Sequence, residues 1–522
     1  MRHEAHFGDR VLRCFERRPA SVHAMFAAAA AAGPERRALV FEGRRVTYRE
    51  LDAEVARIGA GLAACGVMQG DRVALLLPNR PEFVSAFLAL QRLGAIAVPV
   101  SMREQRAGLT YVLNQCGAKA IVFDSSAAQL LPEAADAPAL EVRIAVGGAV
   151  EGALSLAQLG RGLAQLTLPA GVREDDTAAL LYTSGTTGNP KGAMLSHLNI
   201  VHSALHFQAC FGLHADDCAG LAVPASHVTG LVAVIAAMLN VGGAILIYPE
   251  FKAEEFLATA ARERMTYTLL VPAMYNLCLL RGAIESHDLA AWRIGGFGGA
   301  PMPPATIEAM AAKLPQLALV NAYGATETTS PTTIMPPRLA GTHNDTVGVV
   351  VPCGSVLAVD DDGIEVAPGE SGELWIAGPM VVSGYWDNPG ASADSFTGGY
   401  WHSGDIGSVD AQGFVRIFDR KKDMINRGGY KIFSAEVENA LMALPGVQEA
   451  AVVGVPCPVL GERVHAFVYA PASNLDAQAV RAHCAARLAD YKVPESVELR
   501  QEPLPRNANG KLLKRALRQT LA

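Results

Sequence analysis

The chain has 522 residues, half of them hydrophobic and 18% charged, and its 44 basic against 51 acidic side chains leave a net charge of -7. That length exceeds a single compact core and predicts two to four domains or subdomains of an ordered protein. The acidic balance offers no electrostatic basis for holding nucleic acid or an anionic membrane, so an anionic ligand must be held by local chemistry.

Near the start, AMFAAAAAAG (24–33) is too short and too weakly hydrophobic to span a bilayer, and it predicts an alanine-rich helix. LVFEGRRVTYREL (39–51) predicts a hairpin turning at Glu42-Gly43, then a capping box in which Thr47 bonds the third helical amide and Glu50 reaches back. GDRVALLLPN, PEFVSAFLALQRLG and AIAVPV follow as a buried strand, an amphipathic helix stopped at Gly94, and a second buried strand. This βαβ alternation recurs from AKAIVFD through GGAILIYP to MTYTLLVP, which predicts stacked, mostly parallel α/β layers. The apolar run LVAVIAAML (231–239) is also too short to span a membrane.

From about residue 348 the texture shifts to short strands and turns, with Asp362-Gly363 as a hairpin turn, so a β-rich subdomain is expected over about 348–419. After it come a charged, glycine-rich segment, DRKKDMINRGG, and alternating helices and strands that predict a small α+β domain over 423–522. The nine cysteines are scattered without a C-x-x-C pair, which predicts reduced, mostly buried thiols in a cytoplasmic protein.

Five segments carry chemistry. YTSGTTGNPKG (182–192) is dense in phosphate-binding groups, yet it is not a Walker-type loop: counting five on from Gly185 lands on Pro190, and Lys191 is followed by Gly192. Its glycines and the hydroxyls of Thr183, Ser184, Thr186 and Thr187 suit phosphate oxygens, with Lys191 as a point charge. In NAYGATETT, Tyr323 offers a face for a base, Thr326 a hydroxyl and Glu327 a carboxylate for Mg²⁺; taken alone the stretch reads equally as a helix start. In WHSGDIG, Asp405 suits two ribose hydroxyls, although a Gly-Asp pair is also an ordinary turn. Arg420, Lys421 and Lys422 form a basic cluster, and Lys511 follows an Asn-Gly turn near the C-terminus; either would pass alone as solvated surface.

In this order the five segments resemble the adenylate-forming superfamily, which includes acyl- and aryl-CoA ligases, peptide-synthetase adenylation domains and firefly-type luciferases. The resemblance covers nearly the whole chain and implies an N-terminal domain over 1–419, a hinge at 420–422 and a mobile C-terminal domain over 423–522. It implies ATP, Mg²⁺ and coenzyme A as cofactors or co-substrates, and AMP-forming thioester synthesis through an acyl-adenylate.

By the same resemblance, the family's glycine-rich signature falls on Thr183, Ser184, Gly185, Thr186, Thr187, Gly188 and Lys191, and its nucleotide segment on Tyr323, Gly324, Thr326 and Glu327, the last also the metal ligand. The ribose aspartate falls on Asp405, the arginine and hinge residue on Arg420 and Lys422, the thiol-channel glycines on Gly428 and Gly429, and the adenylation lysine on Lys511. An acyl pocket is implied between ASHVTGLVAV, with His227 at its mouth and Val228, Thr229 and Gly230 as walls, and GGFGGAP, with Phe297, Gly298 and Gly299 as walls and Gly299 and Ala300 reaching the nucleotide; read alone, His227 is equally a satisfied core histidine.

No acidic residue stands in the first of those segments to hold an α-ammonium, so the expected acid is a hydrophobic aliphatic or aromatic monocarboxylate and not an amino acid. Three alternatives stay open: transfer of the acyl group to a separate carrier protein, a nucleotide-binding homologue without catalysis, and a luciferase-like oxygenase on the same scaffold.

Overall fold

The computed structural model describes every residue except 164–170, 184–188, 472, 507–511 and 522. Two compact units emerge: Met1–Val356 with Ile376–His402 and Gly413–Val415, and Leu357–Trp375 with Ser403–Gln412 and Arg416–Ala522.

The first unit is built on two large sheets. In the seven-stranded sheet the order is Lys191–Ser196, Thr177–Thr183, Ile96–Pro99, Arg72–Leu76, Ala120–Asp124, Val142–Val146, Leu154–Ser155. Only the first pair is antiparallel; the others run parallel, as the βαβ alternation predicts. The nine-stranded sheet carries a parallel centre of Ala318–Tyr323, Ile294–Phe297, Tyr267–Leu270, Cys218–Leu221, Ala244–Ile247 and Arg37–Phe41, in that order. Its edge is the expected hairpin, in which Phe41 pairs with Arg44 across Glu42 and Gly43.

Local signals decide where the helices begin and end. Thr47 caps Tyr48–Ala64 in a complete capping box with Glu50, satisfying donors the first turn leaves open. Pro81–Leu93 starts on proline, whose fixed φ suits a first helical position, and ends on Gly94 in the left-handed region at φ +66. The alanine-rich stretch forms Val22–Ala32, capped by Ser21. The run at 231–239 is buried throughout, first as a π-helix, Thr229–Ala236, and then as the α-helix Ala237–Val241. No helix among the described residues is long and apolar enough to cross a membrane.

In the second unit, Asp360 accepts from the amides of Asp362 and Ile364, closing the expected turn at Gly363 (φ +81). Strands Glu449–Cys457 and Gly461–Tyr469 pair antiparallel, and Ser496–Arg500 joins the second of them in parallel. Helices Ser434–Met442 and Ala477–Ala485 close a core containing Val437, Leu441, Val452, Val464 and Val480. All nine cysteines are free and six are buried.

Candidate functional site

Parallel strands place their C-terminal ends on one edge of a sheet, where connections leave the ladder and side chains converge. In the nine-stranded sheet that edge holds the residues after Leu221, Leu270, Phe297 and Tyr323. It therefore gathers the His227 segment, the loop Gly298–Ala300 and the turn Gly324–Glu327. In the seven-stranded sheet the same edge holds Asn79, beyond Arg72–Leu76, and Thr183, at the end of Thr177–Thr183.

Two staples join the edges. The first is Asn79, which is buried; its amide nitrogen donates to the carbonyls of Val223 at 2.9 Å and Tyr248 at 3.1 Å, and its oxygen accepts from Ala225 N at 2.8 Å. The second is residues 382–386. Val382 N donates to the Glu327 carbonyl at 2.9 Å, Trp386 N to Gly192 at 2.8 Å, and Met194 N to Gly384 at 3.1 Å. Sequence reasoning missed both staples.

At the segment expected to bind phosphate, Thr183 and Lys191 are cross-strand partners, and Thr183 Oγ1 donates to the Lys191 carbonyl at 3.4 Å. The intervening Ser184, Gly185, Thr186, Thr187 and Gly188 lie outside the described residues. A Cβ at Gly192 would stand 3.2 Å from the Tyr182 ring, a tight approach. Lys191 Nζ sits 5.0 Å from the centroid of the Tyr385 ring, within cation–π range.

Glu327 occupies a turn and not a helix start: Thr328 N donates to the Ala325 carbonyl and Thr329 N to that of Thr326. Thr329 and Ser330 hold positive φ, +49 and +35, a strain that tends to persist at functional sites. The Glu327 side chain is buried, and its Oε1 accepts from the Tyr385 hydroxyl at 2.9 Å. Burial first, then the Glu327 charge, pushes the Tyr385 phenol well above its ordinary pKa, which keeps it a proton donor. An oxygen-bearing carboxylate anchored in this way suits a hard divalent cation. Tyr323 ends strand Ala318–Tyr323, and Thr326 is half-buried beside Glu327.

On the acyl side, His227 is half-buried, as are Ser226, Val228 and Thr229. The His227 amide donates to the Pro224 carbonyl at 3.1 Å and its own carbonyl accepts from Leu231 at 2.8 Å. Gly230 packs so closely that a Cβ would lie 2.3 Å from the Pro224 oxygen. Gly299 (φ +77) and Ala300 are exposed at the strand end. Phe297, expected as a pocket wall, is 5% exposed and packs with a core cluster that includes Leu270, Met274 and Met302.

In the second unit, Arg420 Nε donates to Asp405 Oδ1 at 2.7 Å, and the Asp405 amide donates to Ser403 Oγ at 3.0 Å. Lys421 is not in that pair; its ammonium reaches Glu373 at 3.0 Å. Lys422 has its pKa lowered, first by burial and then by Arg420, Arg518 and Lys514, against an opposing pull from Asp423. Gly428 (φ +60) and Gly429 (φ +90) form the two-residue turn between Ile425–Arg427 and Tyr430–Ile432, with Arg427 and Tyr430 paired across it. Two consecutive positive φ values are what a type I′ hairpin demands, and glycine supplies them without Cβ strain. Lys511 lies outside the described residues.

The profile of the AMP-binding enzyme family matches residues 26–386, and that of the AMP-binding enzyme C-terminal domain matches 436–511. The chain belongs to the AMP-binding enzyme family. A feruloyl-CoA synthase of Amycolatopsis sp is 35% identical over 487 residues, covering 93% of this chain and 96% of that protein. A long-chain-fatty-acid–CoA ligase of Mycobacterium tuberculosis is 33% identical over 478 residues, covering 91% and 93%. Among solved structures, the o-succinylbenzoate CoA synthetase from Bacillus subtilis in complex with its acyl-adenylate intermediate is similar at a TM-score of 0.85 and 30% identity, covering 94% of this chain and 97% of that one. This family member is thus an adenylate-forming enzyme, an AMP-forming acid–CoA ligase on the stacked α/β scaffold the motifs implied.

Proposed function

We propose that this ligase activates a hydrophobic monocarboxylate, an aromatic acid of the hydroxycinnamate type first and a fatty acid second. The observation that carries this reading is the composition of the edge at 225–234: half-buried Ser226, Val228 and Thr229, then a wholly buried apolar helix, with no carboxylate or ammonium side chain to meet a polar tail. Likeness to a feruloyl-CoA synthase supports the aromatic choice, and likeness to a fatty-acid ligase supports the aliphatic one.

A free carboxylate is a poor acyl donor, because its leaving group would be oxide. In the first step its oxygen bonds to the α-phosphorus of ATP, the bond to the β-phosphate breaks and pyrophosphate departs. Two anions meet at this centre, so pre-placed positive charge and donors lower the barrier. Lys191, Thr183, Ser184, Gly185, Thr186, Thr187 and Gly188 hold the departing phosphates, and Lys511 supplies positive charge to the meeting of carboxylate and α-phosphate. Tyr323 and Gly324 pack on the base with Gly299 and Ala300, Thr326 donates to phosphate, and Asp405 accepts from the ribose with Arg420 beside it. Glu327 would hold Mg²⁺, which when bound supplies further positive charge to the phosphate oxygens.

In the second step the sulfur of CoA forms a bond to the acyl carbon, AMP leaves with the electron pair, and the thiol proton passes to solvent. His227 stands at the acyl mouth, while Gly428 and Gly429 leave room for the pantetheine arm. On this reading the functional domains are 1–419 and 423–522, bounds that differ from those of the two compact units, and rotation at the hinge, with Lys422 in it, exchanges Lys511 for the glycine turn between the two steps.

The test is a panel of cinnamic, benzoic and C6–C16 fatty acids with ATP, MgCl₂ and CoA, followed by AMP release and thioester mass. Thioester with a hydroxycinnamate at a kcat/KM above that of every fatty acid supports the aromatic reading, and the reverse order supports the aliphatic one. Pyrophosphate exchange without a CoA thioester would favour a carrier protein as acceptor. Absence of exchange with any acid would overturn the activity.

A further inference from the structure

Tyr385 belongs to none of the five motif segments, yet it touches two of them. Its hydroxyl donates to Glu327 Oε1 at 2.9 Å, and its ring lies 5.0 Å from Lys191 Nζ. The side chain is 6% exposed and is held from several sides. Its amide donates to Ser392 Oγ at 2.9 Å, its ring edge meets Phe396, and it bridges to Ala193 beside Gly192.

A buried carboxylate needs its lone pairs satisfied in a defined direction, and one donor on one oxygen fixes how the group turns its other oxygen. The aromatic face beneath a lysine likewise restricts where that ammonium rests. One rigid side chain thus fixes both the metal-holding carboxylate and the phosphate-holding lysine. We propose that Tyr385 is a positioning residue that orients Glu327 for the divalent cation of the nucleotide while its ring keeps Lys191 at a fixed spacing from that carboxylate. This rests on the reading of Glu327 as the metal ligand.

The substitution Tyr385→Phe tests it, because the ring under Lys191 stays while the hydroxyl that donates to Glu327 is lost together with its hydrogen bonds to Ser395 and Trp401. The readout is binding and not turnover: thermal stabilisation by a non-hydrolysable α,β-methylene ATP analogue, titrated with MgCl₂. Loss of such an outer partner weakens metal affinity by about 10–100-fold, so the Mg²⁺ midpoint of Tyr385→Phe is expected to rise by about 10-fold or more, with binding of the metal-free analogue unchanged. Glu327→Gln is expected to raise the midpoint at least as far, and Tyr385→Phe in that background to add no more than about twofold, since positioning through Glu327 has nothing left to position.

The double variant removes both the buried donor and the buried charge it serves, so it remains informative where the single Phe variant folds poorly. A wild-type midpoint in Tyr385→Phe, with a raised one in Glu327→Gln, would overturn the role of Tyr385 alone. A wild-type midpoint in Glu327→Gln would overturn the metal reading and this inference with it. Additive shifts in the double variant would show that Tyr385 acts elsewhere than through Glu327, and would also overturn it.

Discussion

Arg420 Nε lies 2.7 Å from Asp405 Oδ1, so the carboxylate proposed for the ribose already holds a charged partner on one side. The pair is preorganised: Asp405 is 4% exposed, and the arginine also reaches the Ser403 carbonyl at 3.4 Å. Hydrogen bonds to a charged group are worth about 1.5–3 kcal/mol. Asp405→Ala is therefore expected to raise the KM for ATP about 10- to 100-fold, read by pyrophosphate exchange, while the KM for the acid changes little. An unchanged KM for ATP would remove Asp405 from the nucleotide site.

The two half-reactions should separate genetically at Lys511. Removing one preorganised donor from a developing charge typically costs about 10²–10³ in rate, so Lys511→Ala is expected to lose acyl-adenylate formation by that factor. Thioester formation from a supplied acyl-adenylate and CoA should persist near the wild-type rate. Equal loss of both steps, measured by rapid quench, would contradict the division of labour.

Gly230 offers a way to disturb the acyl side without touching the nucleotide. A Cβ there would sit 2.3 Å from the Pro224 oxygen and 2.8 Å from its carbon, so the backbone carrying His227 must move. Overpacking of this kind costs about 1–3 kcal/mol. Gly230→Ala is expected to lower kcat/KM for the acid at least several-fold and to leave the KM for ATP within twofold. Parallel losses for both substrates would place the effect on the whole fold.

Much of the scaffold was legible in the sequence because its signals are local. Thr47 with Glu50, Gly94 after an amphipathic run, and Gly363 in an Asp-rich turn each act within a few residues of their partners. Strand Ile294–Phe297 carries no face information in its sequence, because a strand in the parallel centre of a sheet is buried on both faces. Tyr385 and Asn79 were illegible for another reason. The tyrosine meets Glu327 from 58 residues away and the asparagine meets Val223 from 144, and neither has a neighbour in sequence that marks it.

Helix His197–Phe211 predicts the pH response of stability. His197, His202 and His206 are buried on it, and burial pushes the first two down to about 4 and the third to about 3. His202 is held neutral, with Nε2 accepting from Phe15 N at 3.2 Å and Nδ1 facing the Leu198 carbonyl at 3.0 Å. In the unfolded chain these imidazoles take up protons near the ordinary value of 6.5, while in the folded protein His197 and His202 do not until about pH 4 and His206 not until about pH 3. Proton uptake by the unfolded state alone means that stability is greatest above about pH 6.5 and falls as pH drops toward 4, by up to a few kcal/mol per histidine. Urea midpoints between pH 4.5 and 8 should show this slope, and His206→Phe should flatten it.

Arg10 gives the staple at 382–386 a history in time. Its guanidinium, 8% exposed, donates to the carbonyls of Val382 at 2.9 Å and Ser383 at 3.0 Å, and the first of these partners follows it in the chain by 372 residues. At the usual pace of synthesis, about 5–20 residues per second, the arginine emerges roughly 20 to 75 s before its acceptors exist. The N-terminal hairpin Arg2–His6 and Arg10–Cys14 therefore cannot finish docking during that interval. The segment that presents Tyr385 becomes anchored only when a part of the nascent chain already made meets one synthesised 372 residues later.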